Sequence, residues 1–380
     1  MKFFLILIFS IINFIFTQDE CQDGRYLEEI LDVDVQYEVE YGENINQTML
    51  GSDYTQTLYM DIYSPSNDNF DERPLIFFMF GGSFIGGSKS NAAIVALSNQ
   101  YAKMGYVAVA IDYRLSPVLI FNPTEEVAYK AVLKAMHDVK AAIRYFKMMD
   151  EISPEIYGID SDRVFVGGVS AGAIAAVNAG YLNEYNEIPN FLIDDYEELG
   201  GLEGQSGNDG YDSSFHGIVN LCGAVGNQDW IIQGDIPIVS MHGDQDDVVP
   251  YDDNLVTLFG LNIQIDGSYV IHQRMIELDN YSALHTYQGQ GHTPFSANME
   301  FETEFTSLFL YDVVCSQDNL IIGDVNGDLE LNILDVVLIV NFILGISDPD
   351  STQFDLADMN SDGDLNVQDI ILLINTILSP

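Results

Sequence analysis

Short apolar runs alternate with helix-periodic segments over residues 35–314, and each run is about the length of one buried strand. This alternation predicts an α/β fold, with a mostly parallel sheet and helices on both faces. The predicted strands are Leu75–Phe80, Val107–Ile111, Val164–Gly167, Ile218–Leu221, Ile236–Met241 and Ala283–Tyr287. The predicted helices include Asn91–Met104, Thr124–Met149 and Ala171–Leu182. The acidic, glycine-rich stretch at 183–214 is expected to form a loop or partial lid on the functional edge of the sheet.

The first 17 residues have a different pattern, with Lys2 followed by an apolar run from Phe3 to Phe16. A membrane span needs roughly 20 apolar residues, so this shorter run predicts a secretory signal; an uncleaved anchor is the alternative. We therefore expect a secreted or cell-surface protein with no membrane span after signal removal. Export permits disulfides. The sequence does not identify which two cysteines would pair among Cys21, Cys222 and Cys315.

An internal repeat occupies the C-terminal end, where residues 323–344 align with residues 357–378 at an offset of 34. Each copy is an acidic loop that runs directly into an apolar helix. One such unit is too short to bury its own helix, so the two copies are expected to pack together. The predicted organisation is a signal at 1–17, a catalytic domain at 22–315 and a small all-α repeat domain, double EF-hand-like, at 320–380.

The charge of the chain limits its partners, because 59 Asp and Glu against 13 Lys and Arg give a formal charge of −46. Nucleic acid binding needs clustered basic residues, yet Arg274 is the only Lys or Arg after Arg163. Nucleic acid is therefore excluded as a natural partner. The 47% content of hydrophobic residues is ample for a large buried core and excludes intrinsic disorder.

Catalytic chemistry is indicated first by Gly168-Val169-Ser170-Ala171-Gly172, which lies between a β-branched strand and a helix of small residues. Such a strand–turn–helix context presents a nucleophilic serine, here Ser170. The N–H groups at the beginning of the following helix can stabilise an oxyanion. The glycine-rich segment 81–87, which also follows a strand, can aim further N–H groups at the same oxyanion. No GK[ST] or GxGxxG pattern accompanies it, so nucleotide binding is not expected.

A nucleophilic serine needs a histidine base and a carboxylate to orient that base. His292 is preferred because it lies in a loop after a strand, whereas His272 falls in a helical stretch and His285 within a strand. For the carboxylate, the segment after strand 236–241 offers three aspartates, and spacing alone does not choose among them. They are Asp244, Asp246 and Asp247.

Residues 75–300 resemble the α/β-hydrolase superfamily, specifically its esterase/lipase and carboxylesterase branches. The resemblance rests on GGSF followed by GG, the AIDYRL strand end, the YGIDSDRVFVGGVSAGA elbow, MHGDQDDVVP and the final GH-TP. It implies that Asp246 is the triad acid, with Asp247 as the alternative, and that the N–H groups of Gly82, Ser83 and Ala171 bind the oxyanion. The family often has a histidine at the position of Phe80. That histidine supports the loop rather than the chemistry.

The repeat places oxygen-bearing side chains at positions 1, 3, 5, 9 and 12 of two loops, the spacing that wraps a calcium ion. Position 7 of each loop contributes a backbone carbonyl. Position 6 is Gly363 in the second loop but Leu329 in the first, so the first site is expected to be weaker or differently bent. The predicted ligands are Asp324, Asn326, Asp328, Glu330, Asn332 and Asp335, then Asp358, Asn360, Asp362, Asp364, Asn366 and Asp369.

These two loop–helix units resemble a type I dockerin module, which implies Ca²⁺-dependent folding and docking to a cohesin-like partner. Loop positions 10 and 11, which often read the partner, are largely apolar here: Ile333, Leu334, Val367 and Gln368. Sorting, surface retention or stability are the alternative uses of the module.

The sequence thus predicts a secreted serine carboxyl-ester hydrolase that needs no cofactor for catalysis and carries a calcium-binding docking module. The expected substrates are small acyl or aryl esters, among them acetyl or feruloyl esters on polysaccharides. The main alternative is a non-catalytic adhesion or scaffold protein with a hydrolase fold. A peptidase of the same fold is a further possibility, disfavoured because no second large domain accompanies it.

Overall fold

The structure is a computed structural model that describes residues 21, 24–316, 322–326, 331–347, 349, 351–360 and 363–378. The predicted signal and the predicted calcium ligands Asp328, Glu330 and Asp362 lie outside the described residues.

An eight-stranded sheet forms the centre of the molecule, in the order β1-β2-β4-β3-β5-β6-β8-β11. The six strands β4, β3, β5, β6, β8 and β11 pair in parallel with one another. The β1–β2 and β2–β4 pairs are antiparallel. The α/β prediction is therefore confirmed. The strands of this sheet are β1 (Asp32–Gln47), β2 (Asp53–Ser66), β3 (Arg73–Met79), β4 (Val107–Ile111), β5 (Ile159–Val169), β6 (Gly217–Leu221), β8 (Ile238–Gly243) and β11 (Ser282–Tyr287).

Helices follow most of the parallel strands. The three helices that the sequence predicted are confirmed to within three residues at each end. Among the described residues, no helix is both long and apolar enough to cross a membrane. The helices are α1 (Ala92–Met104), α2 (Glu125–Ile152), α3 (Ala171–Tyr181), α4 (Ile193–Tyr196), α5 (Ser268–Glu277), α6 (Glu300–Ser316), α7 (Ile333–Ile343), α8 (Ser351–Ala357) and α9 (Val367–Leu378).

The central strands are buried on both faces because helices cover the sheet on each side. All five residues of β4 and of β6 are buried, and in β3 only Arg73 is even partly exposed. Continuous apolar runs are typical of such strands, which is why the pattern located them. The predicted strand 236–241 begins later in the structure, at Ile238, where pairing with Ser282 starts. Pro237 has no N–H to donate to a ladder, which accounts for the shift.

The antiparallel pair β1–β2 was not among the predicted strands. In β1, partly buried and exposed residues alternate over much of the strand. In β2, the first three residues are exposed and most of the second half is buried. This pattern is typical of an edge hairpin with one face on the core. Two irregularities in its register, between Gln36 and Val39 and between Glu40 and Gly42, bend the pair.

A second, three-stranded antiparallel sheet has the order β7-β10-β9, where β7 is Ala224–Val225, β9 is Asp253–Leu258 and β10 is Leu261–Gly267. It too was not predicted. The β9–β10 hairpin lies between β8 and α5 in the chain, so it follows the loop that carries Asp246. Its buried residues Ile263 and Ile265 face a cavity described below.

The segment 183–214 consists of short helical turns and bends, with α4 as its only α-helix. Only its first part, through Ile188, Pro189 and Leu192, lines the cavity next to Ser170. The later part packs on α2 and β1, where Glu203 accepts a hydrogen bond from Lys140 at 2.7 Å. The prediction of a lid on the functional edge therefore holds for one end of the segment only.

The structure pairs Cys21 with Cys315 in a disulfide, and Cys222 is a buried free thiol. This bond joins the beginning of the hydrolase fold to the last turn of α6. Beyond it, the repeat has a small core of its own, formed by Val325, Val336, Ile339, Ala357 and Leu373. The two copies therefore pack against each other, as predicted.

Candidate active site and calcium-binding repeat

Ser170 lies in the turn between β5 and α3 with φ 54° and ψ −118°. Such a positive φ is rare for a residue with a side chain and is a mark of the strained turn that exposes a nucleophile. The turn is tight because α3 begins close to β3: a Cβ on Gly172 would lie 2.2 Å from the Met79 carbonyl oxygen. The glycine is therefore required by close packing of helix on strand.

His292 reaches Ser170 from the loop after β11, with 2.9 Å between its Nε2 and the serine Oγ. Its other ring nitrogen, Nδ1, lies 2.6 Å from Oδ2 of Asp246. A carboxylate only accepts, so Nδ1 carries the proton and Nε2 is left to accept from the serine hydroxyl. The imidazole is 18% exposed, enough to exchange protons with substrate and water.

Asp246 is held from several directions, and its carboxylate is fully buried. Its Oδ1 accepts from the N–H groups of Val248 at 2.8 Å and Val249 at 3.0 Å. Its Oδ2 accepts from His292 and also from Nε2 of His242, at 3.0 Å. Burial raises the pKa of this carboxyl, but the hydrogen bonds from His242, His292 and Val248 outweigh it and hold the pKa well below its ordinary value.

The glycine-rich loop after β3 turns sharply at Gly82, whose φ of 134° no ordinary side chain adopts readily. Ser83 and Phe84 follow with positive φ as well. Ser83, Ser170 and Ala171 line one cavity, and Ala171 is the first residue of α3, so its N–H has no partner within the helix. Gly82 forms the turn that precedes Ser83. This arrangement suits the oxyanion role expected for these backbone groups.

Phe80, which stands where relatives often have histidine, supports this loop by packing. Its ring stacks on Tyr113 with 4.3 Å between centroids, and the Tyr113 hydroxyl donates to the Phe80 carbonyl at 2.7 Å. The loop is also tied at its far side, where the N–H of Ser116 donates to the Phe84 carbonyl at 2.6 Å. Stacking and two hydrogen bonds hold the loop without a histidine.

A cavity of about 140 Å³ opens next to Ser170. Its walls come from α2, α3, the segment after α3, the loop after Asp246 and the small sheet. None of its lining residues among those the structure describes is charged, and most are aliphatic or aromatic. Such a space suits an uncharged, apolar group next to the reacting ester.

The structure does not bring the other candidates to the site. Asp244 instead accepts from the N–H of Gly289 at 2.6 Å, and Asp247 is exposed. His272 lies on α5 with its Nδ1 2.9 Å from the Ser282 hydroxyl, and the His285 ring packs among aromatic rings of β11 and α6. Of the histidines that were considered, only His292 contacts Ser170.

Two residues at the site were missed in the sequence. His242 was visible in the segment before Asp246, but no spacing indicated that its ring would contact the carboxylate. Cys222 lies so that its sulfur and ligand atoms of Asp246 and His292 are all within 4.8 Å of one another. Burial raises the pKa of the Cys222 thiol to about 12, so it stays protonated and packs as a small neutral group beside Asp246 and His292.

The two copies of the repeat share the same hydrogen bonds at loop positions 9 and 12. The N–H of Asn332 donates to Asp335 at 2.9 Å, and 34 residues later the N–H of Asn366 donates to Asp369 at 2.8 Å. Asn332 and Asn366 each also accept from the backbone N–H two residues on, at 2.8 Å. Gly363 has a φ of 82°, as the sharp turn at position 6 requires.

These residues fit a calcium ion, which a dockerin-like repeat implies. Asp335 and Asp369 are fully buried, and Oδ1 of Asp369 is a buried oxygen with no hydrogen-bond partner. No Lys or Arg follows Arg274 in the sequence, so the repeat itself supplies no cation for these carboxylates. Buried carboxylates need a counter-charge, and a hard cation with oxygen ligands supplies it.

Comparison with known proteins finds matches to two separate parts of the chain. Residues 60–224 match the BD-FAE family model, and residues 322–378 match the model of the Dockerin type I domain. A human protein, Arylacetamide deacetylase-like 2, is 29% identical over 123 residues, 31% of this chain. The chain spans only 27% of that relative's length.

Solved structures of an esterase have the same fold. The apo form of Thermogutta terrifontis esterase 2 matches with a TM-score of 0.52 and 20% identity, covering 77% of this chain and 98% of that chain. The form phosphorylated by paraoxon matches with the same values. The chain therefore has the α/β-hydrolase fold of these esterases. It carries a Dockerin type I domain at its C-terminal end, a kind of domain that binds calcium structurally and docks to cohesin-type partners.

Proposed function

We propose that the protein is a secreted serine carboxyl-ester hydrolase that works through a Ser170–His292–Asp246 triad. One observation carries the proposal: His292 lies within hydrogen-bond distance of both Ser170 Oγ and the buried Asp246 carboxylate. Nucleophile, base and orienting acid are thus arranged in the order that acyl transfer requires. The apolar cavity beside Ser170 supports an ester with an uncharged acyl or aryl group. A non-catalytic scaffold protein would not need these hydrogen bonds between Ser170, His292 and Asp246.

In the proposed reaction, Ser170 Oγ attacks the ester carbonyl carbon while His292 Nε2 takes the hydroxyl proton. Asp246 keeps the imidazole in the right tautomer and stabilises its protonated form. The carbonyl oxygen becomes an oxyanion near the N–H groups of Ala171, Ser83 and Gly82, and one such donor is worth about 3–4 kcal/mol of barrier. His292 then gives its proton to the leaving alcohol. Water, activated by the same histidine, releases the acid from the acyl-enzyme.

For substrates we propose small acyl or aryl esters, with polysaccharide-linked acetyl or feruloyl esters as candidates. Secretion is supported by the pattern of residues 1–17. The Cys21–Cys315 disulfide also favours an oxidising compartment. The catalytic domain is proposed to span 22–315, with Cys21 tied to its end, and the repeat domain 320–380.

In the repeat domain, the proposed role of calcium is structural. Its proposed ligands among the described residues are Asp324, Asn326, Asn332, Asp335, Asp358, Asn360, Asp364, Asn366 and Asp369. The folded repeat would then dock the enzyme to a cohesin-like protein. Largely apolar residues at loop positions 10 and 11, such as Ile333 at 66% and Val367 at 61% exposure, favour a partner with an apolar contact surface.

Replacing Ser170 with alanine tests the proposal. We expect Ser170→Ala to lower the hydrolysis of p-nitrophenyl acetate by at least about 10⁴-fold, because no other group can form the acyl-enzyme. The matched control is Ser90→Ala, an exposed serine outside the site, which should keep wild-type rates. Circular dichroism checks that both variants are folded. A folded Ser170→Ala enzyme that still turns over the ester would contradict the mechanism.

A further inference from the structure

The lining of the cavity next to Ser170 indicates which groups of a substrate can bind there, which the triad alone does not. Two of its polar wall side chains, Asn178 and Thr257, are already bonded within the protein. The Asn178 amide donates to the carbonyls of Ile174 at 2.7 Å and Ala224 at 3.1 Å, and its oxygen accepts from the N–H of Gly226 at 3.0 Å. The Thr257 hydroxyl donates to Asn262 at 2.8 Å. A sugar hydroxyl placed here would find few partners and would lose its hydration.

The position of the cavity indicates which half of an ester it takes. Its lining includes Ser170, Ala171 and Ser83, but not His292. The leaving alcohol must lie within reach of His292, which protonates it, so the alcohol belongs on the other side of the carbonyl. The cavity therefore faces the acyl side of the substrate.

Resting on the proposed function, we propose that the natural substrates carry an uncharged, apolar acyl group larger than acetyl, and that this cavity binds it. An acetyl group would leave most of the apolar wall without contacts. A longer hydrocarbon chain gains about fourfold in binding for each methylene it buries, as long as the cavity has room. Acetyl decoration of polysaccharides is thereby disfavoured as the natural target.

The test compares p-nitrophenyl acetate, hexanoate and octanoate as substrates of the full chain. We expect kcat/KM for hexanoate or octanoate to exceed that for acetate by at least about tenfold. Val132→Trp, which places a large side chain in the α2 wall, should reduce this ratio severalfold. Val337→Trp, the same change on the exposed face of α7, should leave it unaltered. Labelling by a fluorophosphonate measures the fraction of active enzyme in each preparation.

The outcomes separate this inference from the function on which it rests. If the enzyme turns over the acetate ester as well as or better than both the hexanoate and the octanoate esters, the inference is overturned and the proposed esterase function stands. A preference for octyl acetate over p-nitrophenyl octanoate would assign the cavity to the alcohol and overturn it too. No turnover of any ester and no fluorophosphonate labelling would remove the proposed function and the inference together.

A second inference comes from an independent observation, the contacts of His242. Its side chain is fully buried, and its Nε2 lies 3.0 Å from Asp246 Oδ2 and 3.0 Å from the Val249 carbonyl. Both partners are acceptors, so Nε2 carries a proton and donates. Nδ1 lies 2.8 Å from the Ser268 hydroxyl, which accepts from the Asn220 amide at 3.0 Å. This buried network fixes the ring beneath the triad acid.

We infer that His242 is a positioning residue, which holds the Asp246 carboxylate toward His292. His242 Nε2 and His292 Nδ1 both bond to Oδ2 of Asp246. His242 therefore fixes the orientation of this oxygen and changes the negative charge that it presents to His292. The titratable groups around this pair are His292, the Cys222 thiol and Tyr251, whose ring lies 5.7 Å from that of His242. Asp246 carries the negative charge in this group. The hydrogen bond from His242 stabilises that charge on Oδ2, so Asp246 interacts less strongly with His292.

Two variants test this role. His242→Phe keeps the ring shape without a donor and should lower kcat at least about tenfold with little change in KM, as expected for a lost hydrogen bond to a charged group. His242→Gln offers an amide donor near Nε2 and should recover most of the rate. In His242→Phe the acidic limb of the kcat/KM profile should move to higher pH, because Asp246 then stabilises the His292 imidazolium more strongly.

A purely structural role would give another result. The fluorophosphonate-labelled fraction would fall in both variants while the rate per labelled site and the acidic limb stayed as in the wild type. That outcome, or an unchanged kcat in His242→Phe, would overturn the assignment.

Discussion

Three aspartates follow β8 within four positions, yet their surroundings differ sharply. The carboxylate of Asp246 is buried and accepts four hydrogen bonds, while Asp247 is exposed. Asp244 instead accepts from the N–H of Gly289, in the loop that leads to His292. The difference arises because backbone N–H groups after Asp246 turn back toward its side chain. One aspartate thus becomes a fixed acceptor for the base.

We expect Asp246→Asn to lower kcat about 10³- to 10⁴-fold, because an amide can present a donor to His292 and favour the wrong tautomer. Asp247→Asn is the matched control and should keep wild-type activity. Stopped assays with a p-nitrophenyl ester measure both. Equal losses in the two variants, or activity retained by Asp246→Asn, would mean that the triad acid is another residue.

At this scale the sequence locates the turn of Ser170 well, because a strand–turn–helix context is recorded in the neighbouring residues. It does not by itself choose Asp246 over Asp244 and Asp247, since the choice depends on which carboxylate the turn encloses. His242 could not be assigned a role either, because contact with an acid four residues later depends on the fold of the loop between them. The partner of Cys21 lies 294 residues away, and no local pattern records that distance.

The longest helix, α2, shows how elements depend on one another. It buries charged and polar side chains that a sequence pattern would place in solvent, among them Lys134, His137, Asp138, Lys140 and Arg144. The later part of the segment 183–214 covers them. Glu203 pairs with Lys140 at 2.7 Å and with Arg144 at 3.4 Å. Glu203 of this acidic segment therefore neutralises positive charge that α2 buries.

His137 on α2 makes this packing sensitive to pH. Its Nε2 lies 2.7 Å from the Gly201 carbonyl oxygen, and burial, with the nearby positive charges, lowers its pKa to about 3. The unfolded chain takes up a proton near pH 6.5 while the folded protein does not, so stability contributed by the neutral ring is present above that pH and is lost as the pH falls toward 3.

We expect His137→Gln, which keeps a donor for Gly201, to be less stable than the wild type at pH 7 but to lose less stability on acidification. The difference in the free energy of unfolding should shrink by about 2 kcal/mol between pH 7 and pH 5. Urea unfolding at the two pH values measures it. A constant difference between the two proteins would show that His137 is not held neutral.

The hairpins mark the limit of prediction at the element scale. Continuous apolar runs identify strands β3, β4, β5, β6 and β8 in the sequence, because helices cover both faces of the central sheet. In β1, by contrast, alternate residues are exposed, and only Tyr41 and Asn46 are buried. In β10, Asn262 and Gln264 are exposed while Ile263 and Ile265 line the cavity, so the hydrophobic signal is halved. These strands also shape the substrate cavity, which sequence patterns alone did not describe.

At the scale of the whole molecule, the described residues form two separate hydrophobic cores. The hydrolase core surrounds the sheet, and a small separate core holds α7, α8 and α9 together. The first carries the proposed catalytic residues Ser170, His292 and Asp246. The second contains the buried carboxylates of Asp335 and Asp369 and no lysine or arginine. The stability of the two cores should therefore respond differently to calcium.

We expect removal of calcium with EDTA to unfold residues 322–378 and to leave ester hydrolysis within about twofold of its original rate. Without a cation, the buried carboxylates lack a counter-charge, and metal-binding energy is folding energy for such a small unit. Hydrogen exchange followed by mass spectrometry should show loss of protection in α7 and α9 but not in β3 or α3. Asp369→Asn should give the same local loss without chelator, since it weakens a ligand whose oxygen has no other partner. Re-adding calcium restores protection in the wild type. Esterase activity that falls together with the protection of α7 and α9 would show that the catalytic domain depends on the repeat.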